Sequence, residues 1–146
     1  MSLERFIEAQ ELVFHQALTE LRAGKKCSHW MWVIFPQLAG LGTSATSDFY
    51  AIKSLEDAAA YLAHPVLGLR LLRCVHAMMR NKGMALDEIF DFPDNLKFRS
   101  SMTLFSRVPN ADPIFQAALV EFCGGEADAL TLGLIGRIAV TSKTQC

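Results

Sequence analysis

Apolar side chains that recur every three or four residues constrain the fold of this chain more than any other feature of its sequence. From Leu3 to Arg22 they form one stripe of a helix, and the glutamates of this segment lie mostly off that stripe. The same spacing returns at Val66 and continues to Gly83. A short strand over Met31–Phe35 is possible, but the other apolar segments are too long and too helical to pair with it. The sequence therefore predicts an all-α fold.

Turn and cap residues divide the chain into about six helices around one core. Gly24 is placed to end the first helix, and Ser54 and Asp94 are placed to begin later ones. Further helices are predicted over 113–122 and partly over 130–140, whereas the small residues of 38–47 predict an irregular Gly/Ser loop after the aromatic segment. No polar linker interrupts the pattern, so we predict a single compact domain over residues 1–140 and a C-terminal tail over 141–146.

Composition excludes several classes of protein and several partners. A hydrophobic content of 51% excludes intrinsic disorder, and 14 basic against 15 acidic residues give no reason to expect nucleic acid or an anionic membrane as a partner. The longest apolar run, Trp30 to Phe35, is too short for a membrane span, and the first residues lack the pattern of a secretory signal. Four scattered cysteines indicate reduced thiols. We therefore expect a cytoplasmic protein.

The spacings that bind metals and cofactors are absent from the sequence. His64 and His76 stand apart, with no His-Glu-x-x-His motif, and Gly40-x-Gly42 is too short to be a dinucleotide fingerprint. We therefore predict neither a metal nor a cofactor. Residues 22–107 nevertheless contain eleven Lys and Arg against seven Asp and Glu, an excess that would attract a small anion to the middle of the chain.

The rarest residue types of the chain are concentrated in residues 25–32. Both tryptophans, Trp30 and Trp32, lie there beside His29 and Lys26. One interpretation is a pocket in which an indole stacks on a planar ring while His29 and a lysine meet an anionic or carbonyl group. The other is that the tryptophans are core anchors and His29 forms a hydrogen bond at a helix start. The sequence leaves both open.

A second polar cluster lies on the predicted helix that begins at Asp94. The spacing places Asp94, Lys97 and Ser101 on one helix face, which would form a site if it pointed inward. The alternative is an N-cap followed by an exposed ion pair and a solvated stripe. Neither Ser100 nor Ser101 lies in a Gly-x-Ser-x-Gly turn, so a serine nucleophile is not predicted.

Four segments of the chain carry distinctive motifs: Phe6-x-x-x-Gln10, Gly24-x-Lys26-x-x-His29-Trp30-Met31-Trp32-x-x-Phe35-Pro36-Gln37, Tyr61-Leu62-x-His64-Pro65-x-Leu67-Gly68-x-Arg70-Leu71 and Lys97-x-x-Ser100-Ser101-Met102-Thr103-Leu104-Phe105. Together they resemble a bacterial family of unknown function, some members of which are labelled calpastatin, over about residues 4–135. The resemblance implies an all-helical single domain and supplies no reaction. The calpastatin repeats are disordered and poor in large apolar residues, so that label does not suit this chain.

These clusters and motifs give nine candidate site residues and two hypotheses of function. The first hypothesis is a pocket for a small anionic, nucleotide-like ligand, in which His29 lies at the cavity wall and donates or accepts a proton. The second is a protein–protein interaction or self-association module, such as a homodimer, without catalysis. Whether the chain is an enzyme stays open. The expected ligand-binding residues are Lys26, Trp30, Trp32, Gln37, His64, Arg70, Lys97 and Ser101.

Overall fold

The structure, a computed structural model, describes residues 2–42 and 44–144, with side chains described as far as residue 138. Within these residues it is helical, with no strand and one isolated bridge between Leu38 and Ile52, which confirms the predicted all-α class. The described helices are α1 (Glu4–Ala23), α2 (Met31–Ile34), α3 (Ala45–Phe49), α4 (Leu55–Ala63), α5 (Leu67–Met79), α6 (Leu86–Ile89), α7 (Asp94–Ser106), α8 (Ile114–Cys123) and α9 (Ala129–Thr144).

The described part of the chain contains nine helices rather than about six. Three of them, α2, α3 and α6, are four or five residues long, and a single turn carries no apolar period that a sequence pattern could reveal. One of these, α3, begins inside the segment that was predicted to be an irregular loop. The last helix, α9, continues to Thr144, beyond the predicted start of the tail at residue 141, and residues 145–146 lie outside the described residues.

The core is built where α1 packs against α5, and α5 in turn packs against α4 and α8. Arg70 reaches Gln10 near the start of this contact, and the Asn81 amide donates to the Leu21 carbonyl at 2.6 Å near its end, so α1 and α5 run in the same direction. The other face of α8 packs against α7, which also contacts α4, α6 and α9. Phe14, Leu71 and Leu104 are buried, as the helix phases predicted.

Two helix ends follow the local signals in the sequence directly. Gly24 ends α1 with a left-handed φ of 78°, and the Ser54 hydroxyl accepts from the Asp57 amide at the start of α4. The prediction for Asp94 was wrong, because its side chain caps no backbone amide. Its carboxylate is instead paired with two lysines, described below.

No single helix of the described ranges is long and apolar enough to cross a membrane. The pair formed by α4 and α5 would reach the required length and composition, but it is bent by 90° at its break. Three of the four cysteines, Cys27, Cys74 and Cys123, are free thiols, and Cys146 lies outside the described residues.

Two leucines of α5 test the assignment of the core. Leu71 is 2% exposed and Leu69 is 60% exposed. We expect Leu71→Ala to lower the free energy of unfolding by roughly 2–5 kcal/mol, because it leaves a cavity in a packed core. The matched change Leu69→Ala should alter it by no more than about 0.5 kcal/mol. Denaturant unfolding of both variants measures the difference, and equal losses would contradict the helix phase.

Candidate functional site

A cavity of about 380 Å³ opens beside Trp32, between α7, the segment 37–47 and the start of α9. Its volume falls within the roughly 300–1,000 Å³ that small-molecule sites occupy. Its wall combines an indole, apolar side chains, hydroxyls and charged groups. The lining residues are Trp32, Gln37, Leu41, Gly42, Ser44, Ser47, Pro93, Leu96, Lys97, Arg99, Ser100, Asp128 and Leu130.

The segment that leads to Trp32 is held by the carboxylate of Glu20, a buried residue near the end of α1. Its Oε1 accepts from the Cys27 amide at 2.7 Å, the Ser28 amide at 2.9 Å and the Trp30 indole Nε1 at 3.0 Å. Its Oε2 accepts from the Ser28 hydroxyl at 2.6 Å and the Gln16 amide at 2.7 Å. Burial alone would raise the pKa of Glu20, but the hydrogen bonds from Ser28, Cys27 and Gln16 outweigh it and lower the pKa to about 2.

The two tryptophans of the chain have different environments. Trp30 is buried in an aromatic cluster with Phe35 and Phe90, and its indole N–H is bound to Glu20. Trp32, two residues later on the one-turn helix α2, is only partly buried and lines the cavity. Trp30 is therefore part of the core, and Trp32 is the tryptophan that lines the cavity.

A buried amide fixes α2 and therefore the position of Trp32. Gln10 Nε2 donates to the Val33 carbonyl at 2.8 Å and to the Tyr61 hydroxyl at 2.9 Å. Arg70 supports this network by donating to Gln10 Oε1 at 3.4 Å, and it pairs with Glu11 at 2.9 Å. Arg70 is not among the residues that line the cavity. Its contacts join α5 to Gln10 and Glu11 of α1.

Two lysines share one carboxylate at the edge of the cavity. Asp94 Oδ2 lies 2.9 Å from Lys26 Nζ, and its Oδ1 lies 3.4 Å from Lys97 Nζ. The side chain of Lys26 is 11% exposed, and those of Asp94 and Lys97 are each 19% exposed. Lys97 Nζ also lies 4.0 Å from the centroid of the Trp32 ring, and Lys26 Nζ lies 5.2 Å from that of Trp30. The lysines are thus held in place, with one negative charge between two positive ones.

The other charged groups of the wall are Arg99 and Asp128. Asp128 is committed to structure: its Oδ2 accepts from the Thr131 amide at 3.0 Å at the start of α9 and from the Ser100 hydroxyl at 3.2 Å. Sequence reasoning missed Asp128, although aspartate is one of the preferred residues at a helix N-cap. Arg99 was missed because nothing in its spacing distinguishes it from other helix-surface arginines.

The loop side of the cavity is rich in hydroxyls. The hydroxyls of Ser44 and Ser47 lie 3.0 Å apart, and each also bonds to the other's backbone at the start of α3. A side chain at Gly42 would collide with Ser47, so the close approach of this loop requires glycine. The sequence predicted an irregular loop here, but the two serines were not singled out.

Three buried side-chain N or O atoms in the described part of the structure have no hydrogen-bond partner: Trp32 Nε1, Arg99 Nε and Ser101 Oγ. Two of the three residues, Trp32 and Arg99, line the cavity, and both unpaired atoms are N–H donors. Unpaired buried donors are uncommon in folded proteins. Two of the residues that line this cavity therefore each have a buried N–H donor without an acceptor among the described residues.

Three other predicted site residues lie apart from the cavity. His29 is exposed and does not line it, so the expected position at a cavity wall is not met. His64 accepts from the amides of Val66 and Leu67 through Nδ1 and so supports the turn before α5. Ser101 is fully buried on the inner face of α7. Of the nine candidates, the structure brings Trp32, Gln37 and Lys97 together in the wall, with Lys26 adjoining them through Asp94.

Comparisons with known proteins find a family and a solved structure. Residues 1–135 match a family model described as "Protein of unknown function (DUF1810)". The chain is 47% identical to the conserved hypothetical protein Rv1873 from Mycobacterium tuberculosis, whose crystal structure superposes with a TM-score of 0.90. That similarity covers 92% of this chain and 96% of the other. The search of curated proteins found no match.

The pKa of Glu20 makes a prediction about acid stability. Because the folded pKa of about 2 lies below the ordinary 4.5, Glu20 stabilises the fold fully above pH 4.5 and loses that contribution as pH falls through 2. Urea unfolding from neutral pH downward should show wild type more stable than Glu20→Gln, with the gap closing across this window. The exposed Glu8→Gln on the same helix is the control and should show a constant gap. A gap for Glu20→Gln that did not change with pH would contradict the assignment.

Proposed function

We propose that this chain, which belongs to the DUF1810 family of proteins of unknown function, binds a small anionic ligand in the cavity beside Trp32 and Lys97. The observation that carries the proposal is the sharing of the Asp94 carboxylate between Lys26 and Lys97. One carboxylate cannot neutralise two ammonium groups. An anion that enters the cavity would supply the missing negative charge next to Lys97.

The charge balance of the whole wall supports an anion rather than a cation. Of the lining residues, Lys97 and Arg99 are positive and Asp128 is negative, and the adjoining pair of Lys26 and Asp94 adds one charge of each sign. Both oxygens of Asp94 are paired with lysines, and Asp128 Oδ2 accepts from Thr131 and Ser100, so these three oxygens are already engaged by protein donors. Partial burial also strengthens the attraction of an anion to Lys97, because the surroundings screen it less than water does.

The rest of the lining favours a ligand with a planar or apolar part and several polar oxygens. Trp32 offers a partly exposed indole, and Leu41, Pro93 and Leu96 add apolar surface. The Gln37 amide can hydrogen-bond ligand oxygens and ring nitrogens, whereas the Ser44 and Ser47 hydroxyls already donate within the loop and can only accept from a ligand. A nucleotide-like molecule, with a ring against the indole and its anionic group at Lys97, combines these features.

A thermal-shift screen of the full chain against nucleotides, dinucleotides and sugar phosphates tests the proposal. A ligand present at about 100 times its Kd stabilises by about 2.7 kcal/mol, which raises the midpoint by several degrees in a domain of this size. We expect Lys97→Gln to remove the shift given by the best ligand, because it removes the charge that the anion meets. Lys25→Gln is the matched control: it removes one charge from an exposed pair with Asp91 and should keep the shift.

The absence of any hit from this panel would contradict the proposal, as would a hit that Lys97→Gln and Lys25→Gln weaken equally. His29→Ala adds a separate test of the sequence hypothesis. His29 is exposed and outside the cavity wall, so this variant should keep both the midpoint and the ligand shift. Loss of the ligand-induced midpoint shift in His29→Ala would indicate that His29 contributes to ligand binding after all.

A second candidate, self-association, is favoured by the exposed apolar residues at the mouth of the cavity. Leu130 is 68% exposed and Leu96 is 46% exposed, and Phe92 near them is 76% exposed. Such residues are common where a partner covers the surface. Light scattering over a range of protein concentrations separates the two candidates. If the measured mass rises to twice the monomer mass with concentration, and the Leu130→Glu variant stays at the monomer mass, the dimer is favoured. A monomer mass at all concentrations would exclude it.

A further inference from the structure

A groove between α1 and α5 is lined by basic side chains and shares no lining residue with the cavity beside Trp32. It has a volume of about 380 Å³, and its lining residues are Arg22, Arg73, His76, Ala77 and Arg80. No acidic residue is among them. The sequence showed the excess of basic residues in the middle of the chain but not that helix packing collects these in one groove.

The fold itself gathers these side chains. Arg73, His76 and Arg80 are spaced three and four residues apart, so they lie on one face of α5. Arg22 comes from the last turn of α1, and the hydrogen bond from Asn81 to the Leu21 carbonyl holds the ends of the two helices together. The Arg73 guanidinium is further positioned 5.3 Å from the centroid of the Phe14 ring.

Within the described residues, none of the three arginines of the groove has a counter-charge. Neither Arg22, Arg73 nor Arg80 forms a salt bridge, and their guanidinium groups donate no hydrogen bond to a protein acceptor. Arg70, three residues before Arg73 on α5, differs because it pairs with Glu11. The helix dipoles place about half a negative elementary charge at the C-terminal end of α1 and of α5, which offsets only part of the positive charge of the arginines.

We propose that this groove binds a compact polyanion that carries two or more linked phosphate groups. Guanidinium groups match phosphate oxygens with paired N–H donors, and such charge-assisted hydrogen bonds are the strong ones. Three guanidinium groups around one groove exceed what a single monovalent anion would neutralise. Neighbouring phosphates of an oligophosphate chain would place a charge opposite each arginine. This site is separate from the one proposed beside Trp32, which would take a ligand with a planar part.

Isothermal titration of the full chain with inorganic tripolyphosphate at low salt tests the proposal. We expect one site, which orthophosphate occupies much more weakly. Each of Arg22→Gln, Arg73→Gln and Arg80→Gln should weaken binding about tenfold, as expected for the loss of one charge-assisted contact. The triple variant should not bind. The control is Arg107→Gln, which removes an exposed arginine at the end of α7 and should bind as wild type does.

Circular dichroism melting of each variant establishes that it is folded before titration. No heat with tripolyphosphate, or equal affinity of the triple variant and wild type, would overturn the proposal. Binding that Lys97→Gln abolishes while the triple variant retains it would also overturn it and would assign the anion to the cavity beside Trp32. Binding that the triple variant loses and Lys97→Gln retains would support it, whatever the screen of that cavity finds. If a single-stranded oligonucleotide binds and loses affinity in the triple variant, while tripolyphosphate does not bind, the groove takes a nucleic acid rather than a small polyanion. That result would also overturn the proposal.

Discussion

The Glu20 carboxylate is the interaction on which the arrangement around the cavity depends. It lies on a long helix with a rigid position in the core, and it accepts five hydrogen bonds, four of them from residues 27–30. These residues form no regular structure, so without such an acceptor their backbone amides would need water or another partner. By binding the Trp30 indole as well as the backbone, Glu20 fixes the entry into α2. The direction of Trp32 follows from that entry.

Once α2 is fixed, the position of α7 decides whether a site forms. Lys26 lies in the segment before α2, and its backbone amide donates to the carbonyl of Ile89 at the end of α6 at 2.9 Å. Asp94 and Lys97 belong to the first turn of α7. The pairing of Asp94 with Lys26 therefore joins two segments that are far apart in sequence. It also brings Lys97 over the Trp32 ring. One ion pair between partly buried groups thus sets both the shape of the cavity wall and its charge.

Sequence reasoning succeeded where a physical signal is local and repeated. The apolar stripes of α1 and α5 extend over several turns, so their phases correctly placed Phe14 and Leu71 in the core. Gly24 and Ser54 act within their own turn, and both were assigned correctly. The reasoning failed for Asp94, because a cap and an ion pair use the same residue type and the partner comes from another segment. It could not separate Trp30 from Trp32, because a four-residue helix has no period and the choice depends on Glu20.

The structural roles found for three of the nine candidate residues make the candidates in the cavity wall more informative. Trp30, His64 and Arg70 each have contacts that account for their presence: an indole bound to Glu20, a ring that accepts two backbone amides, and a guanidinium paired with Glu11. Lys97 differs, because its ammonium group lies 3.4 Å from a carboxylate that it shares with Lys26 and 4.0 Å from the centroid of the Trp32 ring. It sits beside an aspartate that already has a lysine partner, and partial burial of a second ammonium group costs solvation that one shared carboxylate only partly returns. Because one carboxylate does not balance two ammonium groups, the placement of Lys97 beside Trp32 is the reason for proposing a ligand that completes the charge.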